Sequence, residues 1–456
     1  MIDRLIGLFR IPELRKRILY TLGMLAVYRV GIFVTTPGID RTATHGFLNA
    51  QQSQGGGFLN LFNFFSGGAL EYASIFSLGV MPYITSSIIM TMMAVVIPTV
   101  ERLQKEGEQG RRKINQYTRY LTIVISVIQG FMIAQSFKGQ GLVNPDWAGS
   151  LNGFGFVLMT ILTFTAGTAF IMWLGERITE RGIGNGMSLI IFAGIVARLP
   201  HAIIATVMGV KNQTYQPSEM FILGLVMLLV LAGIVFVEKG QRRIPIQYAK
   251  RVVGNKQYGG QATHLPLKIN VAGVIPPIFA STILMFPATL VSFIHSSWMD
   301  SIRNFLMPGN WHYEVLFVLC IIFFSYFYTA VQFNPVDVAD NMRKSGGFIP
   351  GVRPGKATAD YIDFVLSRIT FGGALYLSIV CVMPVVIQKL VSNQVPFGFG
   401  GTGLLIVVSV ALDTVQQIEG HFIAKQYDGF SGASSLRIRA RTETDSSVAS
   451  VSPGVA

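Results

Sequence analysis

Ten apolar runs, each of about 18 residues or more and nearly free of charge, set the pattern of this chain: 18–36, 75–98, 120–137, 153–174, 184–206, 218–237, 269–292, 315–334, 369–388 and 402–420. A helix of about 20 residues crosses about 30 Å of hydrocarbon, so each run reads as a membrane-crossing helix. An even number of crossings returns both termini to one side. One further apolar segment breaks the pattern. Phe58 to Ser66 lies between Gly55-Gly56-Gly57 and Gly67-Gly68, and nine helical residues reach only about 14 Å, too short to cross. Its aromatic side chains, Phe58, Phe62, Phe64 and Phe65, need an apolar seat, while the glycines at either end let it swing without steric penalty. The pattern predicts a movable stopper in a membrane pore.

Composition fits a lipid setting: 51% of residues are hydrophobic, only 13% are charged, and Phe occurs 33 times in 456 residues, which is poor usage for a soluble multidomain protein. Cys320 and Cys381 lie inside apolar runs without CxxC spacing and read as small core residues. The six histidines are scattered, with no HExxH, so neither a metal site nor any other cofactor is expected. Gly182, Gly184 and Gly186 lack the spacing and the βαβ surroundings of a phosphate loop, and read as a break in the helical pattern that permits close packing.

Charge orients the helices. Of the 36 Lys and Arg residues, 29 fall on one side of the predicted crossings, 6 on the other, and Arg29 within the first run. The excess marks the cytoplasmic side, so both termini are expected there, and the net charge of +13 reflects topology rather than DNA binding. The first run lacks a small-residue cleavage site and reads as a retained helix after a short amphipathic N-terminus, residues 1–17.

Five runs fall in 18–206 and five in 218–426, with residues 207–217 as the hinge between them. Five is odd, so the second half enters from the opposite face, the geometry of an inverted repeat. Two long basic connections, 238–268 and 335–367, carry Pro and Gly and read equally as partner-docking loops or as positive-inside anchors. Residues 427–456 turn to Ser, Thr, Gly and Val without period, as in a disordered tail.

Chemistry at membrane depth is sparse. Within the runs only Arg29 stands well inside; Asp413 and Glu419 come late in the last run, and Arg198 and His201 sit towards one end of the fifth. That weighs against a proton- or ion-coupled small-solute carrier, and no nucleophile, base or metal triad is present for an intramembrane enzyme. Aliphatic residues could instead form a constriction that excludes ions and water by dewetting. Val80 and Ile84 are four apart, as are Met187 and Ile191, but such pairs occur in every helix here, and periodicity alone does not select a ring.

Several long strings resemble the SecY family, the channel subunits of the bacterial protein translocase. They include FNFFSGGAL (62–70), GVMPYITSSII (79–89), MWLGERITERGIGNGMSLIIFAGIVA (172–197), THLPLKINVAGVIPPIFA (263–280), ADNMRKSGGFIPGVRPG (339–355) and FGGTGLLIVVSVALD (399–413), in order along the chain. The resemblance implies an all-α polytopic membrane protein. Its ten transmembrane helices would form two pseudo-symmetric halves around an hourglass pore. It implies a pore ring of Val80, Ile84, Met187, Ile191, Ile278 and Ile406, and a plug over 58–70 that includes Phe58, Leu61, Phe62, Phe64, Phe65, Gly67 and Gly68. Val80 and Met187 stand where isoleucine is common in the family, and both keep the site apolar.

The resemblance also implies a lateral gate between the second and third helices and the seventh and eighth, where Thr85, Ser86, Ser87, Gln129 and Asn270 could line the seam. Hydrogen bonds between membrane helices average about 0.6 kcal/mol. A signal sequence with about ten Leu-like residues offers roughly 3 to 6 kcal/mol, enough to part such a seam. Taken without the resemblance, the same hydroxyls read as bonded to their own helix backbone. Docking falls to Arg242, Arg243, Lys250, Arg251 and Lys256 near the first long loop and Arg353 in the second. The implied partners are SecE as clamp, SecG as accessory and the SecA motor or the ribosome as driver, with SecDF and YidC as associates. Signal sequences, nascent polypeptides and membrane lipid would be its substrates and surroundings. The implied activity is conduction of unfolded chains across the inner membrane and sideways release of hydrophobic segments, without catalysis.

Overall fold

The computed structural model describes residues 12–53, 63, 65–144, 154–212, 216–248, 251–253, 256–258, 262–293, 305–306, 310–391 and 401–422. Phe58, Leu61, Phe62, Phe64 and Lys250, most of the N-terminal stretch 1–17 and the tail 427–456 lie outside the described residues. The first half contains α1 (Pro12–Ile32), α2 (Arg41–Ser53), α3 (Met81–Val96), α4 (Pro98–Lys105), α5 (Glu108–Gly139), α6 (Phe154–Arg181), α7 (Gly186–Val196) and α8 (Leu199–Lys211). The second contains α9 (Pro217–Lys239), α10 (Ile275–Phe293), α11 (Trp311–Gln332), α12 (Pro335–Lys344), α13 (Lys356–Val391) and α14 (Gly401–Phe422).

All ten predicted runs fall on helices, but not all as single rods. Among the described residues six helices are long and apolar enough to cross a membrane alone, or seven if α3 and α4, bent by 101° at their junction, count as one. The second run departs from expectation at its start. Residues 66–80 form successive turns, and Pro82 stands in the first turn of α3, where a missing N–H does no harm. The fifth run breaks at residues 197–198, and Pro200 opens α8 in the same way. Both breaks leave irregular backbone inside the protein, where internal partners can satisfy it.

Within the first half α6 packs along α5, α1 and α7; within the second, α11 packs on α10 and α13, and α9 on α13. The halves meet where α3 lies against α10. One contiguous cluster of buried apolar side chains draws on α1, α3, α5, α6, α7, α9, α10, α11, α13 and α14. Outward-facing Phe221, Leu225, Leu228, Leu229 and Phe236 of α9 are more than half exposed, as suits a helix bordered by lipid.

The two long basic connections are not loops. Strand β1 (Gln241–Tyr248) pairs antiparallel with β4 (Ala262–Lys268), setting Ile244 opposite Leu265, and its other edge takes β5 (Gly347–Phe348) from the second connection. Between them β2 (Arg251–Val253) and β3 (Lys256–Tyr258) form a small hairpin. Ile244, Ile246 and Leu267 share a separate core with Met342, Ile349 and Ile362. The alternation of Ile244 and Ile246 with polar neighbours is the period-2 signal of a strand.

Candidate functional site

The six apolar residues of the expected ring come from four places in the chain and all lie in the main buried core. Val80 precedes α3 and Ile84 lies in its first turn; Met187 and Ile191 occupy α7, Ile278 α10 and Ile406 α14. Each is between 1% and 9% exposed, and all belong to the same contiguous core. Local sequence fixes their placement. The side-chain oxygen of Asn185 accepts the N–H groups of Met187 (3.1 Å) and Ser188 (3.4 Å) and so caps α7. A Cβ on Gly186 would strike the carbonyl oxygen of Gly175, so the glycine lets α7 start against α6, in line with the close-packing reading of Gly182, Gly184 and Gly186.

The described end of the glycine-bracketed segment sits against this core. Phe65 is 3% exposed and Ser66 fully buried. Gly67 adopts φ +68° and Gly68 φ +89°, and the Gly68 N–H donates to Asn63 O at 2.8 Å, the bond pattern that ends a helix with a left-handed glycine. A Cβ on Gly67 would lie 2.6 Å from the Gly194 Cα, so α7 and the segment touch backbone to backbone. Three donors from elsewhere reach its carbonyls: Tyr28 Oη to Ser66 O (3.2 Å), Arg29 Nη1 to Gly67 O (3.4 Å) and Arg198 Nη1 to Asn63 O (3.4 Å). Glu71 lies 3.9 Å from Arg198 Nη2 and 3.1 Å from His45 Nε2.

The expected gate residues behave differently. Thr85 Oγ1 donates to Met81 O (3.0 Å) and Ser86 Oγ to Pro82 O (2.7 Å), each back to its own helix. Asn270 Nδ2 donates to Glu238 Oε1 (2.8 Å) and Gly273 O (3.1 Å), all within the second half. Gln129 keeps a buried Oε1 with no hydrogen-bond partner among the described residues.

On the strongly basic side, Arg242 and Arg243 are exposed on β1, and Arg353 is exposed beyond β5. Arg251 and Lys256 lie on β2 and β3, the separate hairpin that follows β1 in the first connection. Lys105 of α4 joins this side: its hydrogen bond to Glu101 (2.6 Å) pushes its pKa above the usual lysine range, and Asp337 of α12 adds attraction. Among the described residues no three His, Cys, Asp or Glu side chains come together to hold a metal.

A family model described as SecY matches residues 74–415. The chain belongs to the SecY family. Protein translocase subunit SecY of Aquifex aeolicus (strain VF5) is 46% identical over 433 residues, covering 94% of this chain and 99% of the relative. The SecY subunit of Escherichia coli (strain K12) is 46% identical over 425 residues, covering 91% and 93%. Among solved structures, one described as the structure of a protein conducting channel superposes with a TM-score of 0.61 at 16% identity, covering 90% of this chain and 93% of the other. Canine Sec61 in a ribosome–channel complex gives 0.59 at 15%, with the same coverage. At such identities the likeness establishes the shared fold.

Within this SecY fold, sequence reasoning named six residues that prove buried in the core but missed the contacts of Tyr28, Gly194 and Arg198 with residues 63–67. Arg29 and Arg198 carried the usable signal, since a cation in an apolar run needs an internal partner. Nothing local marks Tyr28 or Gly194.

Proposed function

We propose that this chain is the channel-forming subunit of a protein translocase in the cell inner membrane. Unfolded secretory polypeptides cross through the ring of Val80, Ile84, Met187, Ile191, Ile278 and Ile406, and hydrophobic segments leave sideways where α3 meets α10. The observation that carries this reading is the burial of all six side chains, from four separated stretches, in the same apolar core as Phe65, at the end of a short glycine-ended segment held by its carbonyls. An aliphatic constriction grips a passing chain without sequence preference and dewets when empty. The 58–70 segment acts as the plug, and both termini lie in the cytoplasm.

The sheet that joins the two basic connections exposes Arg242 and Arg243, with Arg353 exposed beyond β5, to a driver, the SecA motor or the ribosome, and Arg251 and Lys256 of the neighbouring hairpin add to the docking region. SecE clamps the halves, SecG is accessory, and SecDF and YidC associate with the assembly. Basic exposed side chains on a scaffold with its own core suit a large partner carrying acidic or phosphate groups. The chain contributes a path and no catalysis, so the driving energy comes from the partner.

The test is cysteine crosslinking from the centre of a stalled secretory precursor to cysteines introduced at Ile84 and Ile278, in a background lacking Cys320 and Cys381. Crosslinks at both positions place the polypeptide in the ring. Crosslinks confined to outward-facing α9 controls such as Leu228 overturn the assignment.

A further inference from the structure

We propose that Arg198 is the catch that holds the plug shut and that it couples release of the plug to movement of the ring. This rests on the plug reading above. Arg198 stands at the break between α7 and α8, and its guanidinium divides between two acceptors. Nη1 donates to Asn63 O at 3.4 Å, and Nη2 lies 3.9 Å from Glu71 Oε2. Asn63 and Glu71 are themselves joined, because the Glu71 N–H donates to Asn63 Oδ1 at 3.2 Å. Arg198, Asn63 and Glu71 therefore close a cycle around the turns that end the plug, and a planar fork with fixed donors suits such a cycle better than a point charge. Arg29 adds a second guanidinium on Gly67 O at 3.4 Å. Both arginines read main-chain carbonyls, so the catch does not depend on which side chains the plug carries.

Its placement two residues beyond the end of α7, in backbone that keeps helical angles, gives the catch a mechanical role. Met187, Ile191, Gly194 and Arg198 are spaced four, three and four residues apart, which puts them on one face of a helix. The first two belong to the ring, the third meets Gly67 backbone to backbone, and the fourth is the catch. A polypeptide that widens the ring by displacing α7 pulls the plug's seat and its catch away together. The structure thus assigns a task to a cation in an apolar run that the translocation pathway does not itself require.

The experiment uses the assembled translocase in ion-tight vesicles and compares the parent chain, Arg198→Ala, Arg198→Lys and a chain lacking residues 58–66. Loss of one hydrogen bond from a charged donor is expected to raise resting ion flux roughly tenfold in Arg198→Ala, with Arg198→Lys between it and the parent. Export of a precursor with a weakened signal sequence should rise in parallel. If Arg198→Ala stays tight while the deletion leaks, the catch is disproved and the plug stands. If both stay tight, the plug reading falls and the catch with it. Should Arg198→Ala fail to assemble, Glu71→Gln, which leaves Arg198 in place but removes its ion-pair partner, supplies the readout. Raised resting ion flux in Glu71→Gln supports the catch, and flux equal to the parent's overturns it.

Discussion

The two parts of this molecule that open under the proposed function, the plug and the seam, are held by different kinds of interaction. The end of the plug is held by polar bonds between elements: Tyr28, Arg29 and Arg198 donate to carbonyls of residues 63–67, and Gly67 rests on Gly194. The seam between α3 and α10 shows no such bonds among its expected gate residues, because Thr85 and Ser86 turn to their own helix and Asn270 stays within the second half. Apolar packing holds the seam. Directed bonds break as a unit, whereas packing yields by degrees to whatever apolar surface competes with it. The plug then behaves as a latch with two states and the seam as a balance that weighs the hydrophobicity of an incoming segment, since a ligand shifts an equilibrium only by its differential affinity.

Gly67→Val breaks the latch most directly. The position has φ +68° and its Cβ would lie 2.6 Å from Gly194 Cα. A β-branched residue in left-handed backbone costs about 1–3 kcal/mol before any clash. The variant should conduct ions at rest nearly as freely as a channel lacking residues 58–66, and an ion-tight membrane would show that the seat is not where the seal is made. Replacing Ile84 and Ile278 together by Asn comes next, because it weakens the ring on both sides of the seam. Removing about 2 kcal/mol from the closed state raises the open population roughly thirtyfold, so precursors with weakened signals should be exported. Tighter signal discrimination in that double variant would refute the ring assignment.

How much of this was legible beforehand differs between the same regions. Run length located the ten apolar stretches that fall on helices, because hydrocarbon imposes a local constraint on each crossing, but not the short helices Arg41–Ser53, Pro98–Lys105 and Pro335–Lys344. The fold class follows from that. The proposed ring residues were reached through family strings and not through period, since Val80 and Ile84 look like any aliphatic pair in the sequence. Tyr28, Gly194 and Arg198 act across 38, 127 and 135 residues of sequence from their partners in the plug, and contacts of that range leave no local mark. The basic connections were read as loops because Pro245 and Pro266 look like breakers, yet they pair in a ladder. Pro245 faces His264 and Pro266 faces Arg243, and the alternation of Ile244 and Ile246 prevails over the prolines once β4 and β5 flank the strand.

Asn270→Ala tests whether the seam is as free of directed bonds as the geometry indicates. The substitution removes the 2.8 Å donor to Glu238 Oε1, and a partly buried acceptor that loses a bond costs about 1–3 kcal/mol. The second half should unfold at lower temperature while signal discrimination stays unchanged. Altered discrimination at unchanged thermal stability would mean that Asn270 works across the seam, and the contrast between latch and balance would lose one side.

The smallest effect belongs to Thr85→Val with Ser86→Ala. Both hydroxyls return to carbonyls four residues back, so neither joins one half to the other. Such back-bonds leave helix stability almost unchanged, and even bonds between membrane helices average only about 0.6 kcal/mol. Export of a weakened-signal precursor should change by less than about twofold, the equivalent of about 0.4 kcal/mol. A larger rise would show that these hydroxyls switch to partners across the seam when α3 and α10 part. The seam would then carry a directed latch of its own, and the threshold for entering lipid would depend on polar geometry as well as on hydrophobicity.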